Sequence, residues 1–136
     1  MGKIHPRSTR VIGDRIVPSG FLGLPIMYGS AVAVVGALVL WILTPLLAAL
    51  GTLAFYAIVR RLFENKTLAV LSTILLASHP AWWYYTSRSL MPNVPFLALL
   101  LIGCAFLYTR PFVVRWRWFS DLLGGFMIGA ALAIRP

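Results

Sequence analysis

His79-Pro80-Ala81-Trp82-Trp83-Tyr84-Tyr85-Thr86-Ser87-Arg88-Ser89-Leu90-Met91-Pro92-Asn93 lies between two long apolar runs, and here alone polar, aromatic and cationic groups gather between such runs. Before it, residues 67–78 carry no charge, and after it the chain is uncharged from residue 89 to residue 109. Apolar runs of this length joined by a short polar stretch read as membrane helices and their connection. Composition agrees. Of the 136 residues, 60% are hydrophobic and 11% charged, whereas a soluble domain carries about 25% charged residues. Too few polar residues are present to cover a water-facing surface, and the bilayer is the solvent that fits.

Twelve Lys and Arg against three acids, Asp14, Glu64 and Asp121, give a formal net charge of +9. A nucleic-acid binder would gather such cations on one soluble face. Here they cluster between apolar runs, as in the cytoplasmic loops of membrane proteins, so nucleic acid is excluded as a partner. The single cysteine, Cys104, sits in an apolar run and reads as a small buried hydrophobe. The basic N-terminus does not lead into a signal peptide, because Pro18, Gly20, Gly23 and Pro25 interrupt the following run, which is too long for an h-region.

Outward from the opening stretch, the chain divides as follows. Residues 1–24 read as a polar, basic segment passing through a Gly- and Pro-rich loop. Residues 16–59 hold no charge, enough for two hydrophobic segments at about 20 residues per span. Thr44-Pro45 is the expected divider, since Pro suits the first turn of a helix. The segments are then residues 25–43, interfacial or spanning, and residues 45–62, ending in Arg60-Arg61. Residues 67–78, 94–109 and 121–134 are the remaining expected membrane helices. Trp116 and Trp118 interleave with Arg115 and Arg117 at an expected interface. Asp121 is expected to cap the last helix, whose Gly124, Gly125, Gly129 and Ala130 offer a small-residue packing face. The thirteen uncharged residues after Asp121 rise only about 20 Å against a hydrocarbon core of about 30 Å. The expected architecture is therefore all-α: one membrane domain over residues 1–136, a polytopic bundle of four to five hydrophobic helices, truncated at both ends.

The loops at residues 60–66 and 110–120 share one side and hold six cations, while the loop at 79–93 on the other side holds Arg88. The positive-inside rule then places the aromatic loop outside. His79, Tyr84, Tyr85, Arg88 and Asn93 can converge at the mouth of the bundle. His and Arg hold phosphate well, and Tyr84 and Arg88 share a face if the segment is helical. The plainer reading of Trp82, Trp83, Tyr84 and Tyr85 is an aromatic belt at headgroup depth. It explains Arg88 and Asn93 less well, because charge at this depth marks a site.

Leu75-Leu76-Ala77-Ser78-His79-Pro80 and Ser87-Arg88-Ser89-Leu90-Met91-Pro92-Asn93-Val94-Pro95-Phe96 resemble the second outer loop of GT-C-type glycosyltransferases, the group of dolichyl-phosphate-mannose protein mannosyltransferases and aminoarabinose transferases of lipid A. Tyr56-Ala57-Ile58-Val59-Arg60-Arg61-Leu62-Phe63 resembles the family's Arg-Leu-Phe helix end. The run from Gly124 through Gly129 to Arg135-Pro136 resembles its Gly- and Arg-Pro-containing helix. His5-Pro6-Arg7 through Pro18-Ser19-Gly20-Phe21 looks like the end of the first outer loop.

The resemblance implies a fragment of a GT-C fold in a prokaryotic plasma membrane. The implied reaction transfers a sugar from a polyprenyl-phosphate carrier to a lipid, glycan or protein acceptor on the non-cytoplasmic face. Membrane lipid and the polyprenyl-phosphate sugar are the implied partners. His5, Arg7, His79, Tyr84, Arg88 and Asn93 are the implied substrate-binding residues. No organic cofactor is implied, and a divalent metal in the full-length enzyme stays open. Asn93 stands where many relatives carry Asp, and the family's acid of the first outer loop falls before Met1. Asp14 is the one outer-loop acid available as a catalytic candidate, its position does not match the family's acid, and the isolated chain is expected to be inactive. The resemblance also requires segment 25–43 not to cross the membrane. The competing expectation is a small non-enzymatic polytopic membrane protein, a transporter fragment or an assembly subunit.

Overall fold

The computed structural model describes residues 9–12, 15–18, 22–88, 90–109 and 117–135. A two-stranded antiparallel hairpin, β1 (Thr9–Ile12) with β2 (Arg15–Pro18), precedes six helices. These are α1 (Gly23–Val35), α2 (Val39–Phe63), α3 (Lys66–Ser78), α4 (Pro80–Thr86), α5 (Asn93–Thr109) and α6 (Arg117–Ile134). The helical membrane bundle expected from composition is what the chain forms. The hairpin was not expected, yet its signal is in the sequence. β-branched pairs at Val11-Ile12 and Ile16-Val17 flank the dipeptide Gly13-Asp14, which is the composition of a two-residue hairpin connection.

The break between the first two helices falls at Gly36, not at Thr44-Pro45. Gly36 has φ 92, a left-handed conformation open to glycine at little cost, and its N–H bonds back to the Val32 carbonyl at 2.8 Å. Pro45 instead sits inside α2. It forfeits one backbone hydrogen bond there, a loss that neighbouring helices and hydroxyl side chains make tolerable in membrane helices. Thr44, immediately before it, is fully buried and hydrogen-bonds the Tyr28 hydroxyl of α1. With 25 residues, α2 reaches about 37 Å and is long enough to cross a bilayer, as is α6.

The α2–α3 turn is short because Glu64 takes a left-handed conformation (φ 53). Asn65 then caps α3, its Oδ1 accepting from the Leu68 N–H at 3.1 Å. Pro80 ends α3, since a residue before proline is pushed out of the helical region and His79 has ψ 126. Pro80 also opens α4 at its first position, so the expected aromatic loop is itself a helical turn. At the far end, α6 begins at Arg117 and not at Asp121. Asp121 lies in its second turn and is not the N-cap.

α5 is the central element, packed along both α2 and α6. Close approach is achieved where side chains vanish. Gly51 of α2 faces the Ala98 backbone, and Gly103 of α5 faces Gly124 of α6. Gly125 and Gly129 do not share in that contact; nothing lies within 4 Å of where their Cβ atoms would be. The expected small-residue face is thus split between two sides of α6. Leu47, Ala98, Leu99, Ala131 and Ile134 form the core. Large apolar side chains point outward, among them Val34, Trp41 and Leu75 at 85, 73 and 71% exposure, an arrangement suited to lipid and not to water.

These contacts order the bundle end to end. α2 and α5 run in the same direction, α3 and α6 return. Arg135 follows α6 and bonds Asn93 at the start of α5. Gly23 at the start of α1 lies against the Ala133 backbone near the end of α6. The starts of α1 and α5, the end of α6 and the α3–α4 junction therefore share one end, called here the Asn93 end. Arg60, Arg61, Lys66 and Arg117 mark the opposite end.

Candidate functional site

At the Asn93 end, an open cleft of about 310 Å³ is lined by Leu76, His79, Trp82, Tyr85, Asn93 and Val94, among others. α3, α4 and α5 each contribute, and Pro80 and Pro92 set where those helices start and stop. Helical spacing decides which aromatics face inward. Trp82 and Tyr85 are three apart on α4 and half-buried, whereas Trp83 and Tyr84 turn outward at 66 and 50% exposure. The expected aromatic belt is therefore divided between the cleft and the outer surface. This helical period, counted from Pro80, is the signal that singles out Trp82 and Tyr85 as lining residues.

His79 serves as the N-cap of α4. Its Nδ1 accepts from the Ala81 N–H at 3.2 Å, which places the proton of the neutral ring on Nε2. The imidazole therefore keeps a donor. Arg88 stacks on Tyr84, its guanidinium carbon 4.6 Å from the ring centroid. A cation held over a ring face keeps its N–H edges available for an oxyanion. Tyr84 is braced edge-on by Tyr85, their centroids 5.1 Å apart and planes at 82°. Asn93 accepts through Oδ1 from Nη1 of Arg135.

Four of the expected substrate-binding residues thus fall on one end of the bundle. His79 and Asn93 share the cleft, while Tyr84 and Arg88 pair beside it and are not part of its lining. His5, Arg7 and Asp14 lie outside the described residues. Arg135, absent from the expected set, is brought in by the return of α6. Nothing in its local sequence points to Asn93, 42 positions away. Among the described residues, no three His, Cys, Asp or Glu side chains gather as a metal site. The described acids, Glu64 and Asp121, belong to the opposite end, where Glu64 follows α2 and the adjacent Ser120 of α6 donates to the Phe106 carbonyl at 2.6 Å.

Residues 23–136 match the family model described as dolichyl-phosphate-mannose-protein mannosyltransferase. The chain belongs to that family. No curated protein and no solved structure matches it. Membership in the mannosyltransferase family, together with the apolar helices, makes this an integral membrane protein of the membrane glycosyltransferase class. The match includes α4, the cleft and Arg135. It begins at residue 23, so the likeness drawn for residues 5–21 is outside it.

Proposed function

We propose that this chain forms part of a glycosyltransferase of a prokaryotic plasma membrane. It moves a sugar from a polyprenyl-phosphate carrier to a lipid, glycan or protein acceptor on the non-cytoplasmic face, and the Asn93 end is its substrate-facing end. One observation carries the proposal: His79 and Asn93 line a single, mostly apolar cleft, with Arg88 beside it on its tyrosine platform. Donors in an apolar recess suit a ligand with an anionic head on a hydrocarbon chain. Charge bias alone does not choose the face. The tail leading to Gly23 adds its cations to Arg88 and Arg135, giving six against the six of residues 60–66 and 110–117. The non-cytoplasmic assignment follows the family's chemistry.

In the proposed reaction, an acceptor hydroxyl attacks the anomeric carbon and the bond from that carbon to the phosphate oxygen breaks. Its electron pair leaves on the phosphate, and the hydroxyl proton passes to a carboxylate base. Arg88, His79 and Asn93 supply donors where negative charge grows on the leaving phosphate. Which residue supplies that carboxylate is unassigned; Asp14 is the one candidate for it within residues 1–24.

Equilibrium binding of a polyprenyl-phosphate sugar to the purified chain in lipid nanodiscs tests this reading. A charge-assisted hydrogen bond contributes about 1.5–3 kcal/mol, so Arg88→Ala should weaken binding roughly 10- to 100-fold. Binding no stronger than that of the neutral polyprenol, or unchanged by Arg88→Ala, would favour the non-enzymatic reading.

A further inference from the structure

Arg135 has only donors to offer, and it spends one on Oδ1 of Asn93. That settles the orientation of the Asn93 amide. Turned the other way, its NH2 would meet the guanidinium donor to donor. With Oδ1 engaged, the two N–H groups of Nδ2 remain, and neither has a partner among the described residues. Asn93 lines the cleft, whereas Arg135 is not part of the lining. We propose that Arg135 is a positioning residue that holds Asn93 as a hydrogen-bond donor to the phosphate of the lipid carrier. The inference rests on the proposed function and adds the residue that fixes the Asn93 amide toward that phosphate.

Two further observations favour phosphate over a sugar hydroxyl. The polar residues on the cleft lining are His79, Tyr85 and Asn93, and each side chain can donate while none is anionic. The Arg135–Asn93 pair keeps a full positive charge, and the described carboxylates, Glu64 and Asp121, sit at the other end of the bundle. An acceptor-only anion therefore finds donors, positive charge and apolar walls together.

Asn93→Asp separates this role from a structural one. The carboxylate still accepts from Arg135, now as an ion pair, so the α5–α6 connection survives. The NH2 is replaced by an acceptor facing the phosphate, and the pair's charge falls to zero. The full chain in zwitterionic nanodiscs is titrated with undecaprenyl phosphate, undecaprenol and phosphatidic acid. Wild type should prefer undecaprenyl phosphate to both others. Asn93→Asp should weaken that binding about tenfold or more, as expected for losing a bond to a charged group, without lowering the unfolding midpoint. Arg135→Gln, which removes the charge, should weaken it severalfold, and Arg135→Lys should restore part of the loss. Undiminished binding in Asn93→Asp or Arg135→Gln would overturn the inference and leave the proposed function standing. If phosphatidic acid binds as well as the carrier and Asn93→Asp weakens both, the donor role holds and the polyprenyl reading fails. If wild type prefers undecaprenol or does not discriminate, both fail.

Discussion

Replacing Gly103 with alanine tests whether α5 and α6 touch through their backbones. A Cβ at Gly103 would stand 2.8 Å from the Gly124 carbonyl oxygen and 2.7 Å from Cγ1 of Ile128, against an ordinary separation of about 3.5–4.0 Å. The isoleucine can turn away, but the carbonyl belongs to a helix of 18 residues and moves only with it. Overpacking of this kind costs about 1–3 kcal/mol. Replacing glycine within a helix returns about 0.5–1 kcal/mol, leaving a net loss of about 0–2.5 kcal/mol. Gly125→Ala is the internal control. It sits one position from Gly124, meets nothing within 4 Å, and should gain about 0.5–1 kcal/mol. Reversible unfolding in mixed micelles, titrated with a denaturing detergent, reads both. Substitutions that shift the midpoint in the same direction by the same amount would refute the packing described for α5 and α6.

Tyr28→Phe leaves the fully buried Thr44 hydroxyl without its α1 partner and should cost about 1–3 kcal/mol in the same unfolding experiment. Adding Thr44→Val should cost less than the sum of the two single changes, because the pair acts as a unit. Asn65→Ala removes the cap on Leu68 N–H and should lower stability by about 1 kcal/mol without altering lipid binding. Tyr84→Phe should leave carrier binding near wild type because the ring under Arg88 remains, whereas Tyr84→Leu should weaken it by roughly the 0.5–2 kcal/mol of a cation–π contact, read by nanodisc titration. Ser8→Cys in a Cys104→Ala background should label from the non-cytoplasmic side of sealed membranes, and labelling from the cytoplasm would place α1 across the bilayer.

Periodicity and charge spacing made the helices legible, because in lipid each helix satisfies its own backbone and its pattern is local. Boundaries were less so. Pro45 carries a strong breaking signal but lies in a helix pinned from outside by Tyr28, while Gly36 bends the chain with no pattern to announce it. Asp121 has the composition of a cap, yet the helix begins a turn earlier at Arg117. Within the site, His79, Arg88 and Asn93 stood out because polar groups are conspicuous in apolar sequence. Which of them share a cleft depends on how α3, α4 and α5 meet, and spacing along one helix does not contain that. Arg135 was legible only as part of a family-like run, since its partner is supplied by the fold.

The central claim is that the Asn93 end receives the lipid-phosphate head. A photoreactive polyprenyl phosphate, cross-linked to the chain in nanodiscs and mapped by peptide mass spectrometry, tests it most directly. The account predicts label within residues 76–97, competed by unlabelled carrier and reduced in Arg88→Ala. Label confined to the apolar groove between Leu50, Ala57, Ile102 and Thr109, or spread evenly over the helices, would contradict it.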